Sequence, residues 1–103
     1  MKPKRRGIVK TQTIHLEKGK AIGYHIDLGP APLILIQTQK GYVMCGYLNM
    51  DTANRVGDIA GKVTGVKTFE DVLNAPIVEA SEKAKKAGLK EGMTAREFLN
   101  SII

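Results

Sequence analysis

Hydrophobic positions recur every second residue through the first part of the chain and every third or fourth residue through the last, which predicts a sheet followed by helices. Ile8, Ile14 and Leu16 alternate with Val9, Thr11, Thr13 and His15, and a second strand carries Ile22, Tyr24, Ile26 and Leu28 on one face. A three-residue loop, Glu17-Lys18-Gly19, joins them if Gly19 takes the left-handed position that such loops favour. That register pairs Leu16 with Lys20, Ile14 with Ile22 and Ile8 with Leu28, and gathers the apolar side chains on a common face. It puts His15 and His25 together on the opposite face, with His25 across from Thr11. Four strand residues, about 13 Å, would separate the two rings, too far to ligate one metal.

Gly29-Pro30-Ala31-Pro32 breaks the chain before a central hairpin. Leu33 to Ile36 is apolar on both faces, as in a strand covered on both sides. Gln39-Lys40-Gly41 repeats the loop chemistry of the first hairpin, and the strand Tyr42 to Tyr47 returns. A second three-residue loop would pair Cys45 with Leu35 and put it on a face with Leu33, Val43 and Tyr47. Asp51 is the expected N-cap of a short helix ending near Gly57. Ile59 to Val66 reads as a fifth strand, with Gly61 and Gly65 flanking Val63 on one face.

Thr68 is placed to cap a helix over Phe69 to Ala75, which Pro76 stops. Residues 77, 80, 84 and 87 have helical spacing, supported by the pairs Glu79–Lys83 and Glu82–Lys86. Gly88 suits the left-handed C-terminal position, with Leu89 folding back on Ala84. Thr94 and Glu97 form a capping box for the last helix, whose buried stripe is Ala95, Phe98, Leu99 and Ile102. The sum is an α+β domain: an antiparallel-rich sheet built from an N-terminal hairpin, a central hairpin and a fifth strand, with about four short helices packed on it.

At 103 residues the chain is one domain, 1–103: a basic tail over 1–6, the hairpin over 7–28, and a body over 30–103. The longest apolar run, Pro30 to Ile36, is too short to span a bilayer, and no signal-peptide pattern follows the basic N-terminus. The net charge is +6, but five of the 16 basic residues lie in the first ten positions, leaving +1 over the rest. A nearly neutral body argues against a broad nucleic-acid face, so any such binding would be weak and confined to the tail. The single cysteine fits a reducing cytoplasm.

Cys45 is the sharpest candidate for chemistry, as a thiol nucleophile or redox group in a pocket lined by the glycine-rich fifth strand. A catalytic thiol needs a base or a helix N-terminus beside it. Its expected strand neighbours are apolar, which favours a buried structural role. Gly61, Lys62, Thr64, Gly65, Lys67 and Thr68 form the best candidate for binding a small anion, being glycine-bearing, basic and leading into a helix start. The spacing is not that of a phosphate-binding P-loop, and a strand whose glycines allow tight packing explains it as well. No Cys/His spacing suggests a metal, and nothing implies a cofactor.

Gly41-Tyr-Val-Met-Cys-Gly-Tyr-Leu48, Gly61-Lys-Val-Thr-Gly-Val-Lys-Thr68 with Leu73-Asn-Ala-Pro76, and Ala87-Gly-Leu-Lys-Glu-Gly-Met-Thr-Ala-Arg-Glu97 resemble the YunC-like family. Those small bacterial and archaeal proteins are classed as a domain of unknown function. The likeness covers roughly residues 30 to 102 and implies an N-terminal β region used for tetramerisation. The hairpin's apolar residues Ile14, Leu16, Ile22, Tyr24 and Ile26 are the expected interface, since short helices are poorly supplied to cover them. The expected function is therefore a cytoplasmic homo-oligomeric binding or structural module. A thiol-dependent enzyme or redox protein using Cys45, and weak nucleic-acid binding through the tail, are the alternatives.

Overall fold

The structure, a computed structural model, describes residues 9–103. The basic tail expected over residues 1–6 and the expected Ile8–Leu28 pair lie outside the described residues. Six strands form one sheet in chain order: β1 (Val9–His15), β2 (Lys20–Ile26), β3 (Leu33–Gln37), β4 (Tyr42–Met44), β5 (Ala60–Lys62) and β6 (Glu79–Ala80). Helix α1 (Met50–Val56) follows β4, α2 (Phe69–Asn74) follows β5, and α3 (Glu82–Lys86) and α4 (Ala95–Asn100) follow β6. All neighbouring strands are antiparallel except β4 and β5, which are parallel and joined through α1. The class is α+β, with one strand more than the periodicity predicts.

The first hairpin is displaced by one residue from the expected register. Ile14 faces Ala21, Thr13 faces Ile22, and Thr11 faces Tyr24. The turn is tighter than a three-residue loop: the Leu16 N–H donates to the Gly19 carbonyl at 2.8 Å, and Gly19 is not among the left-handed glycines. Because facing residues share a side of the sheet, the slip separates the apolar set. Ile14 is buried in the main core and Leu16 packs against it, whereas Ile22, Tyr24 and Ile26 point the other way. The two histidines also part: His25 faces Lys10 on the core side, and His15 lies on the opposite face.

Close packing explains why this register wins. A Cβ on Gly23 would come within 2.6 Å of the Phe69 ring. The helices therefore cover the side of β2 with the smallest residues, Ala21 and Gly23, rather than the most apolar one. The central hairpin is tight in the same way. The Thr38 N–H donates to the Gly41 carbonyl, and the Thr38 hydroxyl accepts from the Lys40 and Gly41 N–H groups. Gln37 consequently faces Tyr42, and Cys45 lies beside Ile34 rather than Leu35, its N–H donating to the Ile34 carbonyl at 3.1 Å.

Three other boundaries differ from expectation. The N-cap of α1 is Asn49, which accepts from the Thr52 N–H, while Asp51 sits in the first turn. The fifth strand ends at Lys62, and Gly65 takes φ 71° in the loop that follows. Glu79 and Ala80 are a strand rather than helix, so Glu79 pairs with Lys62 across it (3.4 Å), not with Lys83. The buried Ser81 hydroxyl ends that strand and caps α3: it accepts from the Ala60 and Ala84 N–H groups and donates to the Asp58 carbonyl at 2.7 Å. The caps at Thr68, Gly57 and Gly88 and the Thr94–Glu97 capping box form as the sequence predicts.

The main core gathers Ile14, Ala21, Ile34, Ile36 and Val43 of the sheet with Val72, Leu73, Phe98 and Leu99 of α2 and α4. A smaller cluster on the other side packs Met50 and Ala53 of α1, with Leu48, on Ala60, Tyr42 and Met44. Among the described residues, the second face of the sheet is thus covered over β4 and β5 only. Beside this cluster the Tyr42 hydroxyl donates to Asp58 Oδ2 at 2.7 Å. Burial, then that hydrogen bond and the carboxylate charge, push the Tyr42 phenol up to about 12. The folded state therefore holds a proton that the unfolded chain releases near pH 10. Stability from this pair is complete below about pH 10 and falls as pH rises towards 12. Phenolate absorbance should show a component with a midpoint near 12 that Tyr42→Phe deletes and Asp58→Asn moves down; a titration unchanged by Asp58→Asn would refute the coupling.

Candidate functional site

The parallel pair shapes one end of the sheet. Beyond the carboxyl ends of β4 and β5 the chain leaves the sheet in different directions, through the turn at Cys45–Tyr47 and the loop at Thr64–Lys67. Such divergence opens a crevice at strand ends, a common place for binding sites. Here it leaves an open cavity of about 330 Å³, bordered on its third side by Ala31 and Pro32 before β3. Cys45 and half of the glycine-bearing stretch meet in this one cavity.

Cys45 is almost fully buried, 4% exposed. Its sulfur accepts a hydrogen bond from the Ile34 N–H at 3.3 Å and donates to the Pro32 carbonyl at 3.8 Å. The donation to Pro32 is a role of the protonated thiol. His25 lies in the same cross-strand row, facing Ile34 as Cys45 does from the other side. Two strand spacings, about 10 Å, separate them, too far for a thiol–imidazole hydrogen bond. The imidazole has other contacts: Nε2 lies 3.3 Å from the Lys67 carbonyl, and the ring meets Phe69 edge to face at 6.2 Å. No base stands beside the thiol among the described contacts, and the arrangement suits a wall of the cavity better than a nucleophile.

The anion stretch divides. Gly61 is buried under Ile77 and Phe98. Lys62 is paired with Glu79. Thr64, Gly65 and Lys67 line the Cys45 cavity. Thr68 serves as the cap, its hydroxyl accepting from the Asp71 N–H at 3.0 Å. The start of α2 carries its own negative charge: Asp71 Oδ2 accepts from the Lys67 N–H at 3.1 Å, and Glu70 shares that turn. The six residues therefore do not form one anion cradle, and the helix start is occupied by the protein's own carboxylate.

The pocket expected at Cys45, lined by the glycine-rich stretch, thus takes its lining from the 64–67 loop; the geometry that brings this loop to the 45–47 turn was not legible in the sequence. It depends on β4 and β5 being parallel, and no local pattern reports that.

Comparison with known proteins places this architecture. The chain is 42% identical to a protein of unknown function, TA1206, from Thermoplasma acidophilum, whose crystal structure superposes with a TM-score of 0.90 over 98% of this chain and 100% of that one. It is 32% identical over 78 residues to the uncharacterized protein YunC of Bacillus subtilis (strain 168), covering 72% of this chain and 77% of that protein. The family described as Domain of unknown function (DUF1805) matches residues 44–102, from the end of β4 through α4 and including most of the cavity wall. On that match and that identity, the chain belongs to the DUF1805 family.

Proposed function

We propose that the protein is a homo-oligomeric binding module, assembled through the face of β1–β3 that its own helices leave open. The observation that carries this reading is the composition of that face. Ile22, Tyr24, Ile26 and Leu35 lie side by side on adjacent strands and belong to neither core cluster. Thr11 and Thr13 extend the patch on β1. None of these six residues is charged, so a second copy of the same surface could cover them without burying an unpaired ion.

A second surface adjoins it. β1 is an edge strand of seven residues without proline, the kind of edge that invites pairing with another strand. An isologous contact through the face and another through the edge generate two different two-fold axes, and two such axes make a tetramer. The free thiol among the described residues suits a reducing compartment such as the cytoplasm.

Sedimentation of the full chain at tens of micromolar tests the assembly. The wild type should sediment as a tetramer, Ile26→Lys as a smaller folded species, and an Ile22→Lys, Tyr24→Asp double variant as a monomer. A monomeric wild type at that concentration refutes the reading.

A further inference from the structure

The cavity between the Cys45 turn and the Thr64–Lys67 loop has a definite chemical character, and we infer that it binds a small molecule with a compact apolar body and a single carboxylate. Its volume, about 330 Å³, is at the lower end of the range of small-molecule pockets, about 300–1,000 Å³. The inference concerns a different face from the proposed assembly surface and does not depend on it.

The body of the ligand is set by the walls. Pro32, Val66, Cys45 and Tyr47 line the cavity, and the side-chain polar atoms among them already have partners. Cys45 Sγ is bonded to the Ile34 N–H and the Pro32 carbonyl, and the Tyr47 hydroxyl donates to the Ala31 carbonyl at 3.3 Å. A polar ligand body would lose its water there and find few free partners. Room exists at the glycines: a Cβ on Gly46 would meet only the Thr64 methyl at 3.9 Å, and one on Gly65 would meet nothing within 4 Å.

The head group is set by Lys67. Its backbone is held on both sides, the N–H by Asp71 and the carbonyl by His25. The loop that carries Lys67 along the rim of the cavity is thus anchored at that residue. None of the ion pairs among the described residues involves Lys67, whereas Lys62, Lys85 and Arg96 each have a carboxylate partner. An exposed ammonium beside an apolar cavity recognises the single negative charge of a short acid. A monocarboxylate matches one cation and an otherwise largely apolar lining.

Hexanoate and 1-hexanol separate the two parts of the inference, because they share a tail and differ in charge. Titrated into the isotope-labelled full chain, both should shift the amide resonances of Gly46, Gly65 and Lys67, with hexanoate binding about three- to fivefold more tightly, the scale of one exposed ion pair. Lys67→Met should bring the two affinities together, and Lys62→Met should leave the preference intact. Gly46→Leu should abolish binding of both probes by filling the cavity. Thr64→Phe, at an exposed lining position, supplies the same block if that variant folds poorly. The inference is overturned if neither probe shifts the cavity amides in the millimolar range, if the alcohol binds the wild type as well as the acid, or if the preference survives Lys67→Met.

Discussion

Phe98→Ala should lower the unfolding free energy by about 3–5 kcal/mol, the scale of a phenyl ring removed from a rigid core. Phe98 is 0% exposed, and α4 brings its ring against the one bare position of β5. A Cβ on Gly61 would come within 3.1–3.2 Å of that ring and 2.9 Å of the Ile77 side chain. The glycine is there because the ring is there. Gly61→Ala should therefore cost about 1–3 kcal/mol by overpacking, although alanine suits a strand better in the absence of the ring. The two effects are coupled through one contact, so the loss from Gly61→Ala should shrink in a Phe98→Leu background, where the ring is gone. Urea denaturation of the four proteins measures the coupling; strictly additive losses would show that the ring does not rest on Gly61. A domain of this size has only about 5–15 kcal/mol in reserve, so Phe98→Ala approaches the limit of what it can tolerate.

What the sequence revealed, and what it hid, follows the range of the interaction responsible. Thr94 and Glu97 announce their capping box because both partners lie within one helical turn, and Gly57 and Gly88 end their helices for reasons of local backbone geometry. Residues 77, 80 and 84 have helical spacing and are all buried, yet the chain is extended until Ser81. Small and apolar residues serve a short strand and a helix equally well, and only the bonds of Ser81 to Asp58, Ala60 and Ala84 settle where one becomes the other.

The candidate site was legible in pieces. Cys45 and the Thr64–Lys67 segment stand out by composition, but nothing in the intervening residues says that β4 and β5 run parallel. Lys62 illustrates the reverse. It belongs to the same basic, glycine-bearing stretch, and the alternation of a strand turns it to the other side of the sheet, to Glu79. A linear motif therefore overstated the anion site and understated the cavity.

The register of the first hairpin was lost for a similar reason, and it can be tested by two substitutions of the same kind. Alternation counts apolar residues along β1 and β2 without knowing which face the helices choose. Ile14 and Ile22 would then lie opposite each other and respond alike to mutation. In the structure Ile14 is 5% exposed within the main core, and Ile22 is 40% exposed on the far side. Ile14→Asn removes a buried branched side chain and leaves an amide among Ala21 and the core residues, where its hydrogen bonds to water are lost. It should cost about 3 kcal/mol or more. Ile22→Asn faces solvent in an isolated protomer and should change stability by less than about 1 kcal/mol at dilute concentration. At higher concentration the Ile22 variant should lack whatever extra stability the wild type gains by self-association, because stability and assembly are linked through mass action. Urea midpoints measured for wild type and both variants at low and high micromolar protein separate these terms. Equal losses at the lowest concentration would mean that the two isoleucines share a buried face after all, and that the one-residue slip is wrong.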